Sequence, residues 1–141
     1  MSLRTELISK KSSEIATIPI VRNFINKQQH IVVSKISKKK RGCVIDGRDI
    51  GSKVFKKAQI KLFVIVKLEI RAKRRLKQLI EQGEKSIYSQ ILKDLKLRDK
   101  KDRTRKVSPL VVPTNAIIID NSRTFKSTIK QIDKALSKIK L

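Results

Sequence analysis

An α/β domain built on a parallel sheet is the fold class this sequence predicts, and three observations predict it. Residues 43–45, 60–66 and 116–120 are short apolar runs rich in Val and Ile, the pattern of strands covered on both faces. A helix-period stretch follows the second and the third run, as expected where a crossover returns the chain to a parallel neighbour. The first and third runs stop at Asp46 and Asp120 and turn through polar residues, and the carboxyl ends of such strands are where open α/β sheets bind ligands.

Two helices precede the first run. Leu3, Leu7, Ile8 and Ile15, set among polar residues, give one within residues 3–15. Pro19 suits the first turn of the next, which carries Val21, Arg22, Phe24 and Ile25 and runs into residues 28–30. With no strand between them they read as an inserted helical hairpin, residues 1–34. His30 has no Cys or second His with which to share a metal and reads as a surface polar residue. Lys38, Lys39, Lys40 and Arg41 form a solvated cationic loop before the first strand.

The stretch G-C-V-I-D-G-R-D-I-G, residues 42–51, is the centre of the chain. Cys43, Val44 and Ile45 are its buried strand, with Cys43 a buried, reduced thiol. Gly47 and Gly51 allow a tight turn or a close approach to a ligand. Arg48 and Asp49 between them suit a phosphate and a polar base or sugar; a surface turn in which both are merely solvated is the plainer alternative.

Residues 60–66 are the best strand in the sequence. A helix over 68–82 follows, with Leu68, Ala72, Leu76, Leu79 and Ile80 as its apolar stripe and Gly83 as its stop. Arg71 and Arg75 flank that stripe and Arg74 lies further round. They either reach over the core towards a site or cover its edge with their heads in water. Ser86 caps a helix with Ile87, Ile91, Leu92 and Leu95 on its apolar face, continuing into R-D-K-K-D-R-T-R at 98–105. At i, i+4 and i+7, Arg98, Asp102 and Arg105 share one face, where the carboxylate is held ionised and the guanidinium forks can take a phosphate. Asp99 and Arg103 form an ordinary i,i+4 pair. After a loop with two prolines (107–113) and the run at 116–120, the last helix spans 127–141, with Ile129, Ile132, Leu136 and Ile139 inward.

Against 12 Asp and Glu the chain has 36 Lys and Arg, a net charge of +24 that predicts attraction to polyanions. Two facts temper a nucleic-acid reading. Aromatics are 4% with no Trp, so stacking platforms are scarce, and the lysines are spread along the whole chain. A hydrophobic content of 39% suffices for a core. No run of about 18 apolar residues is present, so no transmembrane helix is expected. M-S-L-R-T-E-L lacks the apolar core of a signal peptide, and a cytoplasmic protein is expected. The triphosphate cradle G-x-x-x-x-G-K-[ST] is a near miss only: Gly42 and Gly47 have the spacing, but Arg48-Asp49 stands where Lys-Ser/Thr is required.

D-G-R-D-I-G (46–51), S-x-x-A-x-x-P-x-V-R (Ser13 to Arg22), R-D-x-x-D-R-x-R (98–105), V-S-P-L-V-V-P and A-I-I-I-D-N-S, in this order and spacing, resemble bacterial cytidylate kinase, the (d)CMP kinase family. The resemblance covers the later part of that family's chain. It implies a nucleoside-monophosphate kinase (P-loop kinase) sheet, incomplete because the family's first strand and phosphate loop have no counterpart here. It implies phosphorylation of CMP and dCMP to CDP and dCDP with ATP and Mg²⁺. By resemblance Ser13, Arg22 and Asp49 contact cytosine, Arg48 and Arg105 hold the CMP phosphate, and Arg98 with Asp102 holds the ribose. Arg71, Arg74 and Arg75 belong to a lid, about 71–105, that closes on the ATP phosphates. Residues 1–34 become the helical part of the CMP-binding insert and 42–141 the carboxyl-terminal part of the core.

In that family the first strand lies between those matching 43–45 and 60–66, so the edges beside Val44 and Phe63 are expected to be unpaired. The chain is accordingly expected to be a truncated form, inactive alone, with a separate amino-terminal fragment as a partner. No catalytic residue or metal ligand is assigned. The alternative is a non-catalytic basic protein that binds nucleotides, or nucleic acid without specificity.

Overall fold

The computed structural model describes residues 6–39 and 42–137. Helix α1 (Glu6–Ile15) is followed directly by α2 (Pro19–Lys39), with Pro19 at the first helical position, where its missing N–H leaves no bond unmade. Helix α2 does not end near His30. Val32, Val33 and Ile36 keep the apolar spacing going, so Lys38 and Lys39 are helical rather than loop residues, and residue 34 falls inside a continuous helix. Lys40 and Arg41 lie outside the described residues.

Residues 43–45 form no strand. Val44 is wholly exposed and the Cys43 thiol is exposed, which overturns both the buried strand and the buried thiol. Apolar, β-branched residues create a propensity, but a strand exists only where a neighbour pairs its N–H and C=O groups. Among the described residues nothing pairs with this segment.

The sheet has two strands rather than three. Strands β1 (Leu62–Ile65) and β2 (Ile117–Asp120) run parallel, with Leu62 opposite Ile117 and Ile65 opposite Asp120. The ladder extends at both ends, Ile117 N to Lys61 O at 2.8 Å and Asn121 N to Ile65 O at 2.9 Å. Neither strand is buried on both faces. Leu62, Val64, Ile65, Ile117 and Ile118 are exposed, and only Ile119 is sealed, at 1%. The cause is cover: α5 (Phe125–Leu136) packs on β2.

Helix α5 begins two residues before the expected Ser127, because Thr124 caps it by accepting from Ser127 N at 3.2 Å. Thr128 and Ala135 are its buried positions; Ile129 and Leu136 are partly exposed, and Ile139 lies outside the described residues. Gln131 ties α5 to the end of β2: its Nε2 donates to Asp120 O and its Oε1 accepts from Asp120 N, each at 2.9 Å.

Helices α3 (Leu68–Glu81) and α4 (Tyr88–Thr104) form the second unit of the core. Ala72, Leu79 and Ile91 are buried between them, with Leu76, Tyr88, Leu92 and Leu95 packed around. Gly83 ends α3 at φ 77°, and Glu84 N returns to Leu79 O at 2.9 Å, as expected of a glycine stop. Ser86 does not cap α4. Ile87 holds that position without a side-chain bond and points to solvent, and Tyr88, packed on the hairpin core, is the first helical residue.

The hairpin is also clamped electrostatically. Arg71 of α3 grips Asp99 of α4 with both Nη atoms, Nη1 to Oδ1 at 2.9 Å. This replaces the expected Asp99–Arg103 pair as the principal contact, because a facing guanidinium fork offers two bonds at once. The bond to Arg71 holds the Asp99 carboxyl below its usual range. A depressed folded value means stability that is fully present above the unfolded value of about 3.9 and is lost as pH falls through the folded one. We therefore expect Asp99→Asn to cost about 1 kcal/mol at neutral pH, discounted for partial exposure, and progressively less as acid protonates the native carboxylate. Urea unfolding of both proteins between neutral pH and about pH 3 checks this; a constant difference across that range would contradict it.

Candidate functional site

The D-G-R-D-I-G loop is shaped by close contacts at two glycines. At Gly47 an added Cβ would meet Ile50 Cγ1 at 2.6 Å, so the Ile50 side chain can fold onto the turn only where no side chain stands. At Gly51 it would meet Pro113 Cγ at 3.1 Å, which wedges the loop against the 107–113 segment. Between them Lys53 N donates to Asp49 O at 2.8 Å and Phe55 N to Ile50 O at 2.7 Å, closing a single π-helical turn, Ile50–Val54. Helix α2 lies against the same segment: its His30 ring rests on Phe55 with centroids 4.5 Å apart, while His30 remains exposed, as expected of a surface polar residue.

The end of α4 meets the loop from the other side. Arg105 caps its carboxyl end, with N–H to Lys101 O at 3.0 Å and Nε donating to Ser108 O at 2.5 Å. Ser108 takes a left-handed conformation, φ 52°, and Leu110 N closes back onto Asp102 O at 2.7 Å. The V-S-P-L stretch thus folds over the helix terminus and fixes where Asp102 and Arg105 point.

Two carboxylates are almost fully buried here, Asp49 at 3% and Asp102 at 4% exposure. Each is ion-paired. Asp49 meets Arg22 of α2; Asp102 meets Arg48 of the loop through one oxygen and Arg105 Nη1, at 3.4 Å, through the other. The arginines outnumber their partners. The Arg48 guanidinium is pushed below its usual value, first by burial and then by Arg98, with Arg105 and Arg71 acting in the same direction against Asp99. Burial and then Arg22 lower Arg105, opposed by Asp49. Arg22, Arg48, Arg98 and Arg105 against Asp49 and Asp102 leave a surplus of two positive charges in one neighbourhood. That arrangement favours a dianion bearing several acceptor oxygens.

Of the residues expected from the sequence, Arg22, Arg48, Asp49, Asp102 and Arg105 are brought into direct contact, and Arg98 into electrostatic reach of Arg48. The side chain of Ser13 lies outside the described residues. The three arginines assigned to a lid do not converge on a common point. Arg71 is held by Asp99, Arg74 Nη2 donates to Asn121 O at 2.9 Å and Arg123 O at 3.3 Å, and Arg75 donates to Gln78 at 2.9 Å. Among the described residues no group of three or more His, Cys, Asp or Glu could hold a metal ion. Asp120, at the end of β2, accepts from Ser122 N at 2.8 Å, and hydrogen bonding to Ser122 holds its carboxyl below the usual range; it anchors a turn.

Sequence reasoning missed Asp99 as the partner of Arg71, the Ser108 carbonyl that orients Arg105, and Asn26, whose buried Oδ1 lacks a hydrogen-bond partner. The first two depend on chain segments meeting in space, and no local spacing encodes them. Asn26 carried a signal, one helical turn beyond Arg22 on the same face.

Comparison with known proteins places this geometry in context. The family model for cytidylate kinase matches residues 1–141. The cytidylate kinase of Thermosipho africanus is 38% identical over 141 residues, 99% of this chain and 61% of that protein. That of Caldanaerobacter subterraneus subsp. tengcongensis is 39% identical over 137 residues, 96% of this chain and 59% of that protein. That of Fusobacterium nucleatum subsp. nucleatum is 39% identical over 140 residues, 98% of this chain and 62% of that protein. The chain therefore spans about three fifths of the length of the curated relatives it matches. With a family match across all of its residues, the chain belongs to the cytidylate kinase family.

Proposed function

We propose that this chain is the CMP-binding and lid-bearing part of a kinase that transfers a phosphoryl group from ATP to CMP or dCMP. The observation that carries the reading is the surplus of two positive charges where Arg48 and Arg105 flank the buried Asp102, with Arg98 in electrostatic reach of Arg48 and the Arg22–Asp49 pair beside them. A nucleoside monophosphate carries about two negative charges on its phosphate near neutral pH. Arg48 and Arg105 hold that phosphate, Asp102 keeps both forks oriented, and Arg98 with Asp102 addresses the ribose. Arg22 and Asp49, with Ser13, read the base. Helices α1 and α2 form the insert that covers the base, and residues 42–137 form the core with its lid.

ATP with Mg²⁺ supplies the transferred group when bound. Phosphoryl transfer relies on positioning and charge stabilisation of that group. The sequence of this chain contains no G-x-x-x-x-G-K-[ST], and its lid arginines are engaged internally. A polypeptide bearing that loop on an apolar strand completes the enzyme. The surface open to such a strand supports this. Val44 is wholly exposed, β1 pairs only with β2 among the described residues, and a groove of about 520 Å³ lined by Phe24, Val32, Ile36 and Val44 runs between α2 and residues 43–46. Apolar exposure on this scale is the mark of a surface that meets another polypeptide. Among the described residues no helix is long and apolar enough to cross a membrane, in keeping with a cytoplasmic kinase.

Calorimetric titration tests the site. CMP is expected to bind, and Arg48→Ala or Arg105→Ala to weaken it by roughly 10- to 100-fold, while cytidine, which lacks the phosphate, loses little. Absence of CMP binding, or equal loss for cytidine, would overturn the reading. The 141-residue chain alone is expected to form no CDP from CMP, ATP and Mg²⁺; turnover that disappears with Arg105→Ala would show a phosphate cradle this account lacks. Adding the amino-terminal part of a cytidylate kinase is expected to raise the melting temperature, since a partner that binds only the folded chain stabilises it. An unchanged melting temperature would mean that the sheet is closed another way.

A further inference from the structure

Besides Oδ2 of Asp102, which is ion-paired with Arg48, and Nε of Arg71, three buried polar atoms lack hydrogen-bond partners: Nε of Arg22, Oδ1 of Asn26 and Oδ2 of Asp49. They belong together. Arg22 and Asn26 are one turn apart on α2 and share a face, and Arg22 is ion-paired with Asp49. One turn further along the same face, His30 rests on Phe55. By helical spacing Asn26 lies between two residues of α2 that contact the Asp49–Phe55 segment, on the face they share. Buried polar groups are satisfied in native structures, so an unmade set in one place calls for a partner that completes it.

The set has a definite chemistry: two acceptors, on Asn26 and Asp49, and one donor, on Arg22. Its complement is an amidine edge, an exocyclic amine with two N–H donors beside a ring nitrogen that accepts. Cytosine carries that edge, and so does adenine. Uracil reverses it, presenting a carbonyl oxygen and a ring N–H, and would set oxygen against oxygen.

We propose that Asn26 is a specificity-determining residue that accepts from the exocyclic amine of the bound base, together with Asp49, while Arg22 donates to the adjacent ring nitrogen. The proposal rests on the reading of this site as a nucleoside-monophosphate site. It adds a residue to base recognition and gives the site a reason to reject uracil.

The test is calorimetric titration of the full chain and its Asn26→Leu variant with CMP, UMP and AMP, with melting temperatures of the ligand-free proteins. Asn26→Leu is expected to lose about tenfold in CMP affinity, to leave UMP unchanged, and so to shrink the CMP-over-UMP preference about tenfold. Its ligand-free melting temperature is expected to hold or rise, because an unmade acceptor has been replaced by an apolar group. A parallel loss for AMP would show that the amidine edge itself is read; AMP binding that is absent throughout would restrict the site to cytosine. Should Leu not be accommodated, Asn26→Ala carries the same readout. Equal loss for CMP and UMP would mean a structural role and overturn the proposal. Unchanged CMP affinity, with Arg48→Ala still weakening it, would overturn the role of Asn26 and leave the nucleotide site standing. No CMP binding by the parent chain would overturn both.

Discussion

Two buried carboxylates constrain this molecule more than any other feature. Asp49 and Asp102 are each nearly sealed from solvent, and a buried charge without a partner is far costlier than any single packing defect. Each must have a guanidinium beside it, and the partners come from different segments. Arg22 is on α2, Arg48 on the loop, and Arg105 at the end of α4. Satisfying the two carboxylates therefore fixes how α2, the D-G-R-D-I-G loop and α4 sit against one another. The close contacts at Gly47 and Gly51 and the fold-back at Ser108 serve the same geometry, since each sets where one of these side chains points.

The same pairing leaves the site charged for its task. Forks committed to carboxylates are oriented in advance, so little side-chain entropy remains to be lost when an anion arrives. Burial, and then the neighbouring arginines, lower Arg48 and Arg105, and a dianion would relieve the repulsion among them. Away from this knot the packing is thin. The α3–α4 hairpin has its own small core, α5 covers β2, and much of the apolar surface of the sheet and α2 is open.

How much of this could be read from the sequence differs by kind of signal. Local signals held: the apolar period of α3 except at Ile80, which is exposed, its stop at Gly83, and the i, i+4, i+7 spacing that brought Asp102 and Arg105 together. The D-G-R-D-I-G loop also proved to be where the separated segments meet. What failed depended on neighbours. Residues 43–45 have strand composition but no ladder to join, and Val64 and Ile118 have the composition of buried strands without the layers that would bury them. Asp99 had a plausible partner four residues on, yet a fork on the facing helix outbid it with two bonds. Ser86 is a good cap by type, but helix packing placed the first turn at Tyr88. Asn26 is one polar residue among many in the sequence of α2, and only burial of its oxygen sets it apart.

The central claim is that paired carboxylates leave a net-positive cluster of arginines, which suits a phosphate dianion. A ³¹P NMR titration of CMP bound to the chain tests it most directly. Free phosphate monoesters take up their second proton near pH 6. Bound between Arg48 and Arg105, the phosphate is expected to resist that proton to a clearly lower pH, and to lose most of the resistance in Arg48→Ala. A bound phosphate that titrates at the free value, or above it, would contradict the account.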